Sequence, residues 1–498
     1  MTTTFDDGAS APEHTGSGRR GSHALRWWVL ATLSVAQLMV VLDATVVNIA
    51  LPAAQRDLGF SDADRSWVVT GYALAFGSLL LIGGRLSDLF GKRSAFVVGL
   101  IGFAVASAVG GAATSLELLV AARVGQGVFA ALLAPAALSL LTVTFTETSE
   151  RAKAFGLFGA VSGAGAAVGL LLGGMLTEWA SWRWVMFVNL IFAGVALVGA
   201  VLLLARHQSG ERPKLDFPGT VVATAGLFGI VYGFSHAESD GWTNGVTLGF
   251  LIGGAALLAL FIWLETWIAH PLLPLRIVFD RMRGTSFLTL FIMGVGMFAM
   301  FLFLTYYMQL TLGYSPIKTG VAFMPFVVAF VISSTTVPPL LPKLGPKIMV
   351  SGGFLVAAAG MVWLTRIGMD SAYLTHILPP VILLGLGLGS AMVIAFQGST
   401  SSLKHEDAGV ASALVNTSQQ VGGSIGIALL STIAASTASD YLANRTPEPQ
   451  TIAQSVIESH IATFWWSAAI FAAGGIVTAL LMPSTAPAPA EGEPVLAH

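Results

Sequence analysis

The sequence predicts an all-α membrane protein that crosses the bilayer fourteen times, with both termini cytoplasmic. Three observations carry this. Charged residues are only 10% of the chain and hydrophobic residues 55%, whereas a soluble domain carries roughly a quarter charged residues. Many apolar runs reach the ~20 residues that cross ~30 Å of hydrocarbon as a helix, and they lack the short alternation of barrel strands. Of the 24 Lys and Arg residues, seventeen fall in the connections on one side, six on the other, and Arg123 lies within a span. The richer side faces the cytoplasm. With no cysteine in the chain, disulfides, thiolate nucleophiles and thiolate metal sites are excluded.

The predicted spans are 27–51, 67–86, 95–113, 117–141, 154–177, 184–205, 217–236, 245–268, 286–308, 319–342, 348–367, 377–397, 410–434 and 461–482. Residues 1–26 are polar and rich in Gly, Ser and Thr, which predicts a disordered tail. Span 1 is too long for a signal peptide and carries an internal acid, Asp43. Spans 2 and 3 flank Gly84-Arg85-Leu86-Ser87-Asp88-Leu89-Phe90-Gly91-Lys92-Arg93. That connection is too short for a domain, and its glycines permit a tight turn. Span 4 holds Arg123, and span 5 holds Gly156, Gly165, Gly169, Gly173 and Gly174, small residues that let a neighbouring backbone approach.

Between spans 10 and 11, Pro342-Lys343-Leu344-Gly345-Pro346-Lys347 is a worn copy of the Asp88–Arg93 stretch. Each is a short basic connection leading into a Gly-rich span. Two six-span halves related this way need two extra spans between them, and spans 7 and 8 are the insertion. The chain therefore divides into a tail at 1–26, a first bundle at 27–205, inserted spans and linker at 206–285, a second bundle at 286–482 and a Pro/Ala-rich tail at 483–498. Pseudo-symmetric halves with substrate bound between them are a transporter arrangement.

Asp43 and Arg123 are the ionisable groups lying clearly inside spans. An intramembrane charge costs about 2.5–3.5 kcal/mol on insertion scales, so it faces a partner or water and marks function by default. At 1.5 Å per residue Asp43 lies ~12 Å and Arg123 ~9 Å below the outer surface. Their matched depths allow pairing. A neighbouring guanidinium lowers an Asp pKa and desolvation raises it, so an Asp whose partner moves can take up a proton. The bland reading of the pair is a static lock between spans 1 and 4. Gln126, three residues after Arg123, shares its helix face and can orient the guanidinium, or simply bond to another helix.

The ten-residue connection resembles motif A of the major facilitator transporters. Leu42-Asp43-Ala44-Thr45-Val46-Val47-Asn48-Ile49-Ala50-Leu51-Pro52 resembles the span-1 signature of their fourteen-span drug:proton antiporters. Arg123-Val124-Gly125-Gln126-Gly127 is similar to motif B, whose Arg is implicated in proton transfer. The span-5 glycines have the spacing of the antiporter motif C, with Leu170 in place of the expected proline. Span 13, from Gly409 through Asn416-Thr417-Ser418-Gln419-Gln420 to Gly426, and the Trp182-Arg183-Trp184 to Asn189 stretch resemble the same branch. The resemblance implies a major facilitator fold: twelve core helices in two six-helix bundles plus two inserted helices. It also implies a cytoplasmic gate at Gly84, Arg85, Asp88, Gly91, Lys92 and Arg93, with Asp88 at the positive start of span 13. The activity implied is proton-coupled export of small lipophilic drugs across the plasma membrane of a bacterium.

The substrate cavity is expected to be lined by spans 1, 4, 9 and 12. Candidates are Gln37 and Asn48 on span 1, Met297, Phe298, Phe301, Tyr306 and Gln309 along span 9, and Gln397 on span 12. A Met- and aromatic-rich wall suits varied apolar ligands, although core packing explains the same aromatics. No acid lies well inside spans 9 to 14, and Glu265 is near the end of span 8. Neutral, monocationic or zwitterionic substrates are therefore expected. Phe90-Gly91-Lys92-Arg93-Ser94 lacks the spacing of a phosphate loop, and Gly385, Gly387 and Gly389 lack that of a dinucleotide site. No enzyme activity, cofactor, metal or nucleic-acid partner is expected; protons, a small lipophilic substrate and the bilayer are, with the chain acting as a monomer. Two other readings fit less of the chain: a proton symporter importing a metabolite, favoured only by Leu170, and a non-transporting membrane sensor.

Overall fold

The structure, a computed structural model, describes residues 17–61, 64–145, 147–204, 216–268, 271–399, 401, 408–443, 445–446 and 448–485. These residues form fourteen helical rods. The first eight are α1 Ser17–Leu58, α2 Ser66–Phe90, α3 Lys92–Gly111, α4 Leu116–Thr144, α5 Thr148–Trp179, α6 Trp184–Leu203, α7 Phe217–Asp240 and α8 Gly245–Glu265. After a single turn at Leu275–Val278 come α9 Arg281–Tyr306 and α10, which is in two pieces, Pro316–Ala322 and Met324–Thr336. The last four are α11 Leu341–Leu364, α12 Leu378–Ser399, α13 Ala408–Leu442 and α14 Pro449–Leu481. Every predicted span falls on one of these rods. Twelve are long and apolar enough to cross a membrane. The other two are α2 and α5, with 25 and 32 residues, whose apolar stretches are Trp67–Leu80 and Val168–Trp179.

Local chemistry sets the helix ends. Ser115, Asp216, Asn244, Asp280 and Ser315 each accept a backbone N–H from the first turn of α4, α7, α8, α9 and α10, satisfying donors with no partner inside the helix. Gly91 turns the chain from α2 into α3 at φ 89°, and Gly345 breaks the start of α11 at φ 74°, a region open mainly to glycine. The two basic connections that look alike in sequence thus turn alike. Several helices outrun the hydropathy signal. α1 begins at Ser17, ahead of the predicted span at 27, and α14 begins at Pro449 instead of 461. Proline is favoured in the first turn of a helix, and the polar residues after Pro449 continue the helix without being apolar.

One core is built from residues between Val29 and Leu204, centred on Phe96, Phe103, Phe145 and buried alanines. A second is built mainly from residues between Met282 and Met482, centred on Phe323, Phe354, Phe464 and Phe471, with Ile49 and Leu170 reaching into it. In the first, α4 packs on α2 and α3, and α1 on α5 and α6; in the second, α12 packs on α10 and α11, α9 on α13, and α14 on α11 and α13. The pair α7–α8 lies outside both cores. Its α7 touches α2 and α13, the helices that meet where the halves join. Val231 sits there between Leu74 and Val421.

Candidate functional site

Five helices of the first half converge on Asp43. The carboxylate is fully buried, as is Arg123, at 0% and 1% exposure. Arg123 Nη1 donates to Asp43 Oδ2 at 2.5 Å and to Gln126 Oε1 at 2.9 Å. Gln126 Nε2 donates to Asp43 Oδ1 at 2.8 Å, and Asn189 Nδ2 to the same oxygen at 2.7 Å. Ser107 Oγ accepts from Gln126 at 2.8 Å and from Asn189 at 3.4 Å. The rest of the guanidinium is also engaged: Nε donates to the Val68 carbonyl at 3.0 Å, and the carbon centre lies 4.4 Å from the Tyr72 ring centroid.

This geometry has a chemical consequence. An ionised carboxylate accepts only, and Asp43 receives three donors. The charge on Asp43 is what balances the buried guanidinium, so each of the two groups depends on the other. Leaving Arg123 buried without its counter-charge is costly, of order 3–5 kcal/mol. An apolar cavity of about 10 Å³, lined by Val47, Leu51, Val68, Leu119 and Trp182 among others, lies towards the end that the base distribution assigns to the outside. Apolar cavities of this size stay dry.

The span-5 glycines set α1 in place directly behind this network. A Cβ on Gly165 would come within 3.1 Å of Leu38 and Val41, on Gly169 within 2.1 Å of Thr45 Oγ1, and on Gly173 within 2.8 Å of Val46. Gly174 instead meets α10, with a Cβ falling 2.7 Å from the Pro316 carbonyl, and Gly320 of α10 returns the approach at 2.6 Å from the Leu170 carbonyl. The halves thus close backbone-to-backbone at the end that the base distribution assigns to the outside. Three polar contacts accompany the closure. Gln309 donates to the Ile49 carbonyl at 3.0 Å, Ile317 N–H to Glu178 at 3.0 Å, and Arg65 lies 3.6 Å above the Tyr306 ring.

The other predicted residues are dispersed. Phe301 packs inside the second core, 5.2 Å from both Phe323 and Phe326, and Met297 packs against that core. Asn48 is buried and its amide reaches the Ala44 carbonyl at 3.5 Å. Gln37 is half-buried and Gln397 exposed. In the short connection Gly84 faces Pro135, and Arg93 donates to the Val201 carbonyl at the end of α6 at 3.2 Å; Arg85 and Lys92 are half-buried. The side chains of Asp88 and Phe298 and the surroundings of Gly156 lie outside what is described. Asn189, Ser107 and Tyr72 belong to the Asp43 network and were not singled out by sequence reasoning, although the Trp182–Asn189 stretch ends on one of them.

Comparison with known proteins agrees with this architecture. The family model of the Major Facilitator Superfamily matches residues 33–427. The puromycin resistance protein pur8 of Streptomyces alboniger is 46% identical over 93% of this chain and 93% of its own. The cephamycin export protein CmcT of Amycolatopsis lactamdurans is 38% identical over 84% of this chain and 87% of its own. A bacterial homologue of the human lysosomal transporter Spinster, solved inward-facing and unoccupied, superposes with a TM-score of 0.60 at 15% identity, over 93% of this chain and 99% of that one. With twelve helices among the described residues long and apolar enough to cross a membrane and such relatives, the chain is a multi-pass protein of a bacterial plasma membrane.

Proposed function

The chain belongs to the Major Facilitator Superfamily, and from that premise we propose that it is a proton-coupled antiporter exporting small lipophilic drugs or antibiotics by alternating access. The observation that carries the reading is the buried Asp43–Arg123 pair with its three donors on one carboxylate. The names of the relatives, resistance and export proteins for puromycin and cephamycin, support the direction and the substrate class. In this reading α2 and α5 also cross the membrane, giving fourteen spans with both termini cytoplasmic. Two bundles, 27–205 and 286–482, rock about the seam, and the chain works as a monomer without a cofactor.

The cycle follows from the network. Asp43 takes a proton when the outer end opens. Its hold on Arg123 weakens, and the halves close at Gly174 and Gly320. The drug enters from the cytoplasm or the inner leaflet, and the proton leaves inward as Arg123 reclaims the carboxylate. One proton moving down ~180 mV releases about 2.3 kcal/mol per 100 mV, enough at 1.4 kcal/mol per decade for a drug gradient of ~10³. The cytoplasmic connection at Gly84–Arg93 acts as the inner gate.

Transport into inverted vesicles tests the proposal. An imposed proton gradient is expected to drive drug accumulation, and an uncoupler to abolish it. Drug movement in the same direction as the protons would overturn export, and drug binding without any proton flux would overturn transport.

A further inference from the structure

A second buried acid site lies on the inserted helices, and the proposed cycle does not use it. Asp216 precedes α7 and Glu265 ends α8; they are 3% and 5% exposed. Three of their four carboxyl oxygens accept backbone N–H groups. Gly219 donates to Asp216 Oδ1 at 2.8 Å, Leu272 to Asp216 Oδ2 at 3.4 Å and Leu273 to Glu265 Oε2 at 2.9 Å. The fourth, Glu265 Oε1, is buried and receives no donor. The Asp216 carboxyl group lies beside it. Gly219 makes the room: a Cβ there would stand 2.1 Å from Asp216 Oδ2 and 2.8 Å from Glu265 Oε1. Ala223, Phe261, Leu272 and Leu273 wall the pair in, and Val410, Ala413 and Leu414 of α13 pack against that wall.

Two ionised carboxylates cannot share such a pocket, because like charges at contact disfavour the doubly charged state. A single proton between them supplies the missing donor and turns the repulsion into a charge-assisted O–H···O⁻ bond. We propose that Asp216 and Glu265 hold one proton between them at neutral pH. They form a protonation site separate from Asp43 that fastens residues 272–273, the link into the second half, to the inserted helices. Loss of that proton at raised cytoplasmic pH loosens the link.

Among the described residues the charged groups around the pair are few. On α7 the others are His236, Glu238 and Asp240 at the far end, the Glu238 side chain being outside what is described, and α8 has none besides Glu265. The link carries Arg276, exposed, and then Asp280. Along α2, which packs on α7, Arg85 lies towards the inner end, and the Asp88 side chain is outside what is described. On α13 the charged residue is Asp440 at the far end. Arg206, His207, Glu211, Arg212, Lys214, His270, Lys404, His405, Glu406 and Asp407 lie outside the described residues.

Infrared spectroscopy of the purified full chain in detergent tests the shared proton without any transport. Wild type at neutral pH is expected to show a protonated-carboxyl band that disappears on alkalinisation. The band is expected to be lost in Glu265→Gln and in Asp216→Asn and kept in Asp43→Asn. A wild-type spectrum without that band, or an unchanged band in both Glu265→Gln and Asp216→Asn, overturns the proposal. In inverted vesicles, Glu265→Gln carries a permanent donor and is expected to keep its export rate as cytoplasmic-side pH is raised, while wild type slows. Parallel slowing of the two overturns the role in fastening the link, even where the infrared band behaves as expected.

Discussion

Gly91 and Gly345 turn the chain in the same unusual way, at φ 89° and 74°, one just before α3 and the other within the first turns of α11. Close glycine crossings also recur in both halves: a Cβ on Gly127 would fall 2.5 Å from the Tyr72 carbonyl, and one on Gly353 2.5 Å from the Gly387 carbonyl. The cores around these shared devices differ. The first encloses a carboxylate, a guanidinium, two amides and a hydroxyl in one bonded network. The second encloses Phe301, Phe323, Phe326, Phe354 and Met361, and a buried imidazole, His460, is set against the rings of Phe303 and Tyr307. A duplicated backbone needs duplicated turns and crossings, since those are set by sterics. It does not need duplicated charge. One half can carry a buried charge pair while the other supplies a rigid apolar face to move against.

The sharpest way to break this contrast is at Asp43. Asp43→Asn is expected to reduce proton-driven drug accumulation in inverted vesicles to background. It should also destabilise the protein by about 3–5 kcal/mol, because Arg123 stays buried without its counter-charge. The double variant Asp43→Asn with Arg123→Gln is expected to recover most of that stability, read by thermal melting in detergent, and none of the transport. Proton-driven accumulation by either variant means that the first half does not hold the coupling site.

A second test places the same steric insult in each half. Valine at Gly169 starts from a Cβ 2.1 Å from Thr45 Oγ1, on the helix that carries Asp43; valine at Gly353 starts 2.5 Å from the Gly387 carbonyl. Overpacking of this kind costs about 1–3 kcal/mol, so both are expected to lower the melting temperature. Only Gly169→Val is expected to cut export by about tenfold or more at a given proton gradient. Equal losses of export would mean that the halves share the coupling.

A smaller effect is expected at the outer closure. Arg65 over Tyr306 is a cation–π contact worth about 0.5–2 kcal/mol. Arg65→Ala therefore shifts the balance away from the outer-closed shape by about two- to thirtyfold, at 1.4 kcal/mol per decade. Distances between spin labels placed on the outer loops of the two halves read this directly, and an unchanged distribution removes Arg65 from the closure.

Much of this contrast was legible in the residues. Two charges at matched depth in apolar spans have few ways to be tolerated, so Asp43 and Arg123 point to each other, and a spacing of three brings Gln126 along. Asn189 and Ser107 were not legible as partners: neutral polar residues are cheap enough within spans that their presence does not say which way they face. Tyr72 was hidden for a similar reason, because an aromatic in a span is ordinarily packing. The glycine spacing of α5 announced a close crossing, but only tertiary structure selects α1 for Gly165, Gly169 and Gly173 and α10 for Gly174. Phe301 shows the opposite limit. Its composition suited a ligand wall, and the fold places it between two other rings of its own half.

That placement yields the smallest prediction, which tests the contrast from the other side. Phe301 makes edge-on contacts with Phe323 and Phe326, each of a type worth about 0.5–1.5 kcal/mol beyond its buried area. Phe301→Leu keeps the site apolar and loses both contacts, so the protein is expected to be less stable by about 1–3 kcal/mol, from those contacts alone. Neither ring it meets is ionisable, so protons moved per drug exported should stay at the wild-type value, while the rate falls with stability. Drug and proton fluxes measured together in one vesicle preparation give that ratio. A changed ratio would mean that the second core does more than brace the first, because ring packing alone has no means of altering how many protons cross.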